Sequence, residues 1–331
     1  MAGELFRVLR TQRQWLADGG KRVALAFGNE AGDLDTIVSS LALAFLWPRL
    51  PCNASAEYKD EQLVPVCPFP RDEFRLRGDA KALFVDMAGF EADSKGAPAD
   101  LLFLDDIDAA EMKASGLVIT DHNEPADSLL SAIPALREAP VIGVVDHHAD
   151  KQLFSDARLR IVDESCGSAT TLVAELSLEH DIALPDKLVK LLLCVILLDT
   201  RNFRLEGKRH SERDIKTHAA LCKRYPSVCG DSSQQAEWYK TLTNARKNVD
   251  DLDSSDLLKL DFKSSAIGSS GHTLGFCAIM DTFSGLVSRA GSLEALERNL
   301  EEFMAQRELA VCLCIHMAQK VPGKAGKHKI V

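Results

Sequence analysis

Val23-Ala24-Leu25-Ala26-Phe27 runs straight into Gly28-Asn29-Glu30-Ala31-Gly32-Asp33-Leu34-Asp35-Thr36. Five apolar residues, the length of a buried strand, stop abruptly at a cluster of acids, and the same punctuation recurs downstream. Residues 82–85 end at Asp86, 101–104 at Asp105-Asp106, 117–120 at Asp121-His122-Asn123, and 141–145 at Asp146-His147-His148. The clearest intervening helix covers 36–47; a second, over 129–136, is interrupted by Pro134. Near-continuous apolar strands alternating with helices predict an α/β fold with a parallel sheet and helices on both faces. Ligands of such sheets collect outside the carboxyl ends of the strands. Here that edge would be lined with carboxylates and imidazoles.

Further along, 188–198 follows Pro185-Asp186, a helix start, and ends at Asp199-Thr200, so it is expected as a helix. Before it, Glu164-Ser165-Cys166-Gly167-Ser168-Ala169-Thr170-Thr171 is a small polar turn leading into a helix through Leu178. Its backbone N–H groups and hydroxyls suit an anion. Residues 225–233 form an expected linker. Beyond it come a helix over 237–249, a strand over 271–281 with a Gly interruption, an amphipathic helix over Leu293–Gln306 and a buried strand over 309–317. The expected domains are 1–224 and a smaller α/β domain over 236–331, joined by 225–235.

The 331 residues are 46% hydrophobic and 27% charged, enough apolar content for two ordinary cores. No apolar run reaches the roughly 18–20 residues of a membrane span, and 1–18 is expected as a short amphipathic helix, not a secretory signal. A net charge of −10 disfavours a nucleic-acid partner, which needs a basic face. Nine irregularly spaced cysteines predict reduced thiols in the cytoplasm. An acidic organelle is the alternative compartment.

Asp33 and Asp35, two apart, place both side chains on one side of an extended loop. With Asn29, Asp121, His147 and Asp199 they make an oxygen-rich set with one imidazole, suited to Mg²⁺ or Mn²⁺. Zinc is disfavoured because no cysteine or histidine pair has structural-site spacing. Several carboxylates in one cleft repel by roughly several kcal/mol at low effective dielectric, so a cation must sit among them. Two divalent ions would resolve this and clamp a phosphate. His148 would hydrogen-bond or protonate the phosphate or leaving group. A single Asp after a strand is more often a helix cap, the role expected for Asp86, Asp105 and Asp106. Cys312-Leu313-Cys314 has strand alternation and is expected in the core; Gly323-Lys324-Ala325-Gly326-Lys327 lacks the length and hydroxyl of a P-loop.

Four segments, taken in order, resemble the four motifs of the DHH phosphoesterase superfamily: 28–36, Thr120-Asp121-His122-Asn123, Val145-Asp146-His147-His148 and Leu198-Asp199-Thr200. The resemblance is to the exopolyphosphatase and Prune branch, whose first motif begins Gly-Asn-Glu. The related family-II inorganic pyrophosphatases have histidine where this chain has Asn29. The resemblance implies a DHH domain followed by a DHHA2 domain, with the active site in the cleft between them. It assigns one metal ion to Asp33 and Asp121, with Asn29 nearby, and the other to Asp35, Asp121, His147 and Asp199. His148 and Lys263 would contact substrate phosphate, and Asp146 would orient its neighbours. Exchanging imidazole for the Asn29 amide should shift preference towards Mg²⁺. The Ser-Arg-Lys-like stretch that ends DHHA2 domains is expected to be missing: the sequence reaches 324–331 without it, and Ser288-Arg289 comes too early. The implied activity is metal-dependent release of orthophosphate from inorganic polyphosphate. The alternatives are an inorganic pyrophosphatase, a nucleotide phosphodiesterase, or a catalytically impaired phosphate-binding regulator.

Overall fold

The computed structural model describes residues 5, 8–11, 14–16 and 22–317, apart from 59, 111 and 269. These residues form two compact units: one holds the described residues through 75 together with 79–245, the other 76–78 and those from 246 onward.

The first unit is built on a six-stranded parallel sheet. Its strands are β1 Val23–Phe27, β2 Gln62–Cys67, β3 Leu102–Phe103, β4 Gly116–Thr120, β5 Val141–Asp146 and β6 Leu159–Val162. They lie side by side in the order β3-β2-β1-β4-β5-β6. From β1 the chain builds outward in one direction through β2 and β3; from β4 it builds in the other. The order therefore reverses between β1 and β4, which pair directly with Phe27 opposite Ile119. Such a switch point opens a crevice at the carboxyl ends of the two strands.

Both faces of the sheet are covered, as the uninterrupted apolar strands require. Val23, Leu25 and Phe27 point into a core with Leu129, Ile133 and Leu136, next to helix α2 Asp127–Ala132. Ala24 and Ala26 alternate to the opposite face. There the small alanines let helix α1 Leu34–Leu46 pack against the sheet, and every residue of α1 is buried. A helix apolar all round must be covered all round. Helices α3 Ala169–Glu179 and α4 Asp186–Asp199 supply the outer cover.

Some expectations are corrected. Residues 82–85 are not a strand but part of a helical turn over Ala82–Met87 that continues from Gly78–Lys81. A four-residue apolar run does not distinguish strand from buried helix. Strand β2 went unread because it contains Pro65. The ladder to β3 begins only at Val66, so the missing N–H breaks no bond there. The half-buried edge strand β6 carries Arg160 and lacks a continuous apolar run. Residues 225–233 hold a turn of helix, Pro226–Cys229, and the start of α6 Ser232–Lys247, which follows α5 Glu212–Arg224. Cys229, Trp238 and Leu242 are buried in the same core as Leu221, so this stretch packs with the first unit. Cys222 and Cys229, expected as thiols, are joined in a disulfide; the intervening turn brings their Cα atoms to 5.0 Å. Of the helix expected over 1–18, residues 5, 8–11 and 14–16 are described and are helical.

The second unit has a three-stranded sheet in the order β7-β8-β9: β7 Phe262–Ala266, β8 Thr273–Ile279 and β9 Leu309–His316. β7 and β8 are antiparallel; β8 and β9 are parallel, joined by helices α8 Phe283–Ala290 and α9 Leu293–Gln306. With α7 Ser254–Leu260 these helices close a core around Leu257, Leu258, Ile279, Leu286 and Phe303. Arg289 is engaged within this unit, donating to Asp281 Oδ2 at 2.8 Å and to the Val249 and Leu252 carbonyls. Residues 324–331, expected to lack the basic stretch, lie outside the described residues. No helix among the described residues is long and apolar enough to cross a membrane.

Candidate metal centre

The site assembles at the switch point. The turn after β1 carries Asn29, Asp33 and Asp35, the end of β4 carries Asp121, and β5 runs into Asp146, His147 and His148. Asp33 caps α1, its carboxylate accepting the Thr36 N–H at 3.1 Å. Thr36 then donates its hydroxyl to Asp121 Oδ2 at 2.7 Å, and Asn29 Nδ2 donates to the same oxygen at 2.5 Å. The amide oxygen of Asn29 accepts from the Ala31 N–H at 3.0 Å. Asn29, expected beside a metal, is thus seen holding Asp121 in place.

Close approach dictates Gly28. A Cβ there would lie 2.1 Å from the Thr36 methyl and 2.9 Å from the Thr36 Cα, so any side chain would drive β1 and α1 apart.

Asp121 itself is strained. Its φ of 60° is in the left-handed region, which Asp and Asn tolerate best among residues with a Cβ. Its N–H donates to the Val145 carbonyl at 2.9 Å, fixing the turn against β5. The side chain is almost wholly buried. His147 Nε2 lies 3.2 Å from Asp121 Oδ1 and 3.6 Å from Asp35 Oδ2. The Cys166 carbonyl lies 3.1 Å from His147 Nδ1 and accepts its N–H, which turns Nε2 towards the acids. Nε2 is then the nitrogen that a metal ion would take, displacing its proton.

The polar turn at 164–171 does bind an anion, and that anion is Asp35. Ser168 Oγ and the Thr170 N–H donate to Asp35 Oδ1 at 2.8 and 2.7 Å; the Ala169 N–H donates to Oδ2 at 2.7 Å. The N-terminus of α3 thereby holds a buried carboxylate at the end of a positive dipole. Asp146 is fully buried and accepts from Asn123 Nδ2 at 2.5 Å, the His147 N–H at 2.8 Å and His148 Nδ1 at 2.9 Å. It orients both histidines.

Charge tells the same story. Burial, then the charges of Asp35 and Asp33, push the Asp121 carboxyl up to about 7. Burial disfavours a charged His147, but its hydrogen bond to Asp121 and the nearby Asp35 outweigh this and raise it to about 10. His148 is raised chiefly by Asp146. These carboxylates therefore demand positive charge, and bound protons meet the demand in part. A divalent cation meets it with the same donors, oxygen plus one imidazole. The residues present fit such an ion.

Of the expected ligands, Asp35, Asp121 and His147 come together, with Asp33 near enough for its charge to act on Asp121, and one ligand atom each of Asp121, His147 and His148 lie mutually within 4.8 Å. Asp199 closes α4, and its neighbour Thr200 packs a methyl against Gly167, 3.0 Å from where a Cβ would sit. Lys263 is exposed on β7 of the second unit.

One residue escaped the sequence reading. Asp214, fully buried on α5, accepts from the Gly167 N–H at 3.0 Å, Thr171 Oγ1 at 2.7 Å, and the Ser211 N–H and hydroxyl at 2.8 and 3.0 Å. It pins the 166–171 loop from behind. Ser211 and Asp214, three apart, signal a helix start; nothing local signals the loop they hold.

The family model described as the DHH family, N-terminal domain, matches residues 24–196, a little over half of the chain. The chain belongs to the DHH family. Among its relatives is a Schizosaccharomyces pombe protein assigned as an exopolyphosphatase, 28% identical over 249 residues, 71% of this chain and 58% of that protein. The exopolyphosphatase PRUNE1 of Rattus norvegicus is 29% identical over 276 residues, 82% of this chain and 55% of that protein. The chain thus spans little more than half the length of these two relatives. A Lactobacillus helveticus protein assigned as a manganese-dependent inorganic pyrophosphatase is 26% identical over 274 residues, 82% of this chain and 75% of that protein. A Methanococcus jannaschii structure assigned to the family II inorganic pyrophosphatases superposes with a TM-score of 0.59 at 18% identity, covering 89% of this chain and 83% of that one. That similarity shows the shared fold.

Proposed function

We propose that this DHH-family chain is a divalent-metal-dependent phosphoanhydride hydrolase acting as an exopolyphosphatase on inorganic polyphosphate. The observation that carries the reading is the convergence of Asp33, Asp35, Asp121 and His147 at the switch point, with Asp121 raised to about 7. Two relatives named as exopolyphosphatases and one named as a manganese-dependent pyrophosphatase support the reaction class. Asn29, where the pyrophosphatase motif has histidine, supports polyphosphate as the substrate.

Asp33, Asp35, Asp121, His147 and Asp199 would hold two Mg²⁺ or Mn²⁺ ions, with Asn29 beside them. Bound there, such ions supply Lewis-acid charge to a phosphoryl group and acidify water. The chain's own groups do the rest. Asp35, gripped by the N-terminus of α3, and Asp121, held by Asn29 and Thr36, keep their carboxylates fixed so that little reorganisation accompanies charge development. Asp146 holds His148, whose side chain is about half exposed, as a donor to substrate phosphate. Lys263 would add a second positive contact.

Phosphate release from pyrophosphate, tripolyphosphate and long-chain polyphosphate, each with Mg²⁺ or Mn²⁺, tests the reading. Faster turnover on the longer chains is the expected result. Turnover confined to pyrophosphate would make the protein a pyrophosphatase, and none on any of them would overturn the enzymatic reading.

A further inference from the structure

The second unit brings together three cysteines that the sequence keeps apart. Cys312 and Cys314 lie two apart on β9 and so share a face of the sheet. Parallel pairing of β8 with β9 sets Cys277 directly opposite Cys314. The three sulfurs lie within 4.8 Å of one another, and those of Cys277 and Cys312, 35 residues apart, are separated by 3.7 Å. All three are free thiols; Cys277 and Cys314 are buried and Cys312 is half-buried.

We infer that Cys277, Cys312 and Cys314 form a thiolate site for a thiophilic d¹⁰ cation such as Zn²⁺, separate from the carboxylate centre of the first unit. The geometry points there for three reasons. Tetrahedral coordination with Zn–S bonds of about 2.3 Å sets the sulfurs about 3.8 Å apart, close to the separation of Cys277 and Cys312. Thiolates select zinc and its congeners over the hard cations that carboxylates favour. The Arg307 guanidinium, whose charge is felt at Cys312, would offset the negative charge of a tris-thiolate complex. Three protein sulfurs leave one coordination position, on the half-buried Cys312 side. A metal held there would clip β8 to β9 across the connection through α8 and α9. Paired cysteines with structural-zinc spacing are absent from the sequence because the third ligand arrives through strand pairing.

The test is a titration of the metal-stripped chain with Cd²⁺, its Cys222–Cys229 disulfide left closed and its seven other thiols free, read as thiolate-to-metal charge-transfer absorption. Oxygen and imidazole ligands do not give this band, so the carboxylate centre is silent. In the wild type the band is expected to saturate at the intensity of one Cd²⁺ held by three thiolates. Cys312→Ala, at the half-buried position, should bind at least tenfold more weakly with the band reduced by about a third. The triple change Cys277→Ser, Cys312→Ser, Cys314→Ser should abolish the band. Circular dichroism identifies any variant that fails to fold; Cys312→Ala alone then carries the comparison. No thiolate band in the wild type at one equivalent of Cd²⁺, or an undiminished band in Cys312→Ala, would overturn the assignment.

Discussion

At the scale of single residues, Asp121 concentrates the demands of the site: a left-handed backbone, deep burial and neighbouring carboxylates. Asn adopts the same backbone conformation and carries no charge. Asp121→Asn should therefore fold, with a metal-free melting temperature equal to or above the wild type, while turnover falls about a thousandfold or more; thermal denaturation and phosphate release check the two halves. A second prediction concerns acid. Burial lowers His218 from 6.5 to about 4. Between those values the unfolded chain binds a proton that the folded chain refuses, so stability is full above pH 6.5 and falls as the pH drops towards 4. The loss contributed by this group is at most about 3 kcal/mol. Urea midpoints at pH 7 and pH 4.5 should differ less in His218→Leu than in the wild type. The ligand residues were legible because acids and histidines followed apolar runs. The partners were not: that Asn29 donates to Asp121, or that Ser168 grips Asp35 from 133 positions away, follows from tertiary proximity alone.

At the scale of elements, two connections hold the site: the β1–α1 turn and the 166–171 loop. The first depends on Gly28. Gly28→Ala places a methyl against Thr36 and should cost about 1–3 kcal/mol in denaturant unfolding, the range for overpacking. Divalent-metal affinity should fall with it, because Thr36 then leaves Asp121. The loop depends on Asp214. Asp214→Asn removes charge-assisted hydrogen bonds worth about 1.5–3 kcal/mol each and lets the loop relax. Since that loop supplies the partners of Asp35 and His147, metal affinity should drop about 10- to 100-fold, measured by calorimetric titration. Long elements such as α1, α4 and α9 were legible from their apolar pattern and start signals. Short ones were not. Residues 82–85 satisfy helix and strand equally, and β2 hides behind Pro65.

At the scale of the whole molecule, the sheet order explains why residues drawn from 29 to 148 meet at all: β1 and β4 are neighbours at the place where the winding reverses. Apolar runs ending in acids made the parallel sheet legible, whereas strand order is a property of the packed chain. Lys263 is the proposed phosphate contact on β7. Its side chain is exposed, so Lys263→Ala should leave the melting temperature unchanged while raising KM for polyphosphate several-fold. If Asp121 and its neighbours form a divalent-metal centre, Mn²⁺ binding, followed by water-proton relaxation, depends on them. The wild type should bind Mn²⁺ and Asp121→Asn should bind it at least a hundredfold more weakly. Equal binding by the two folded proteins would contradict such a centre.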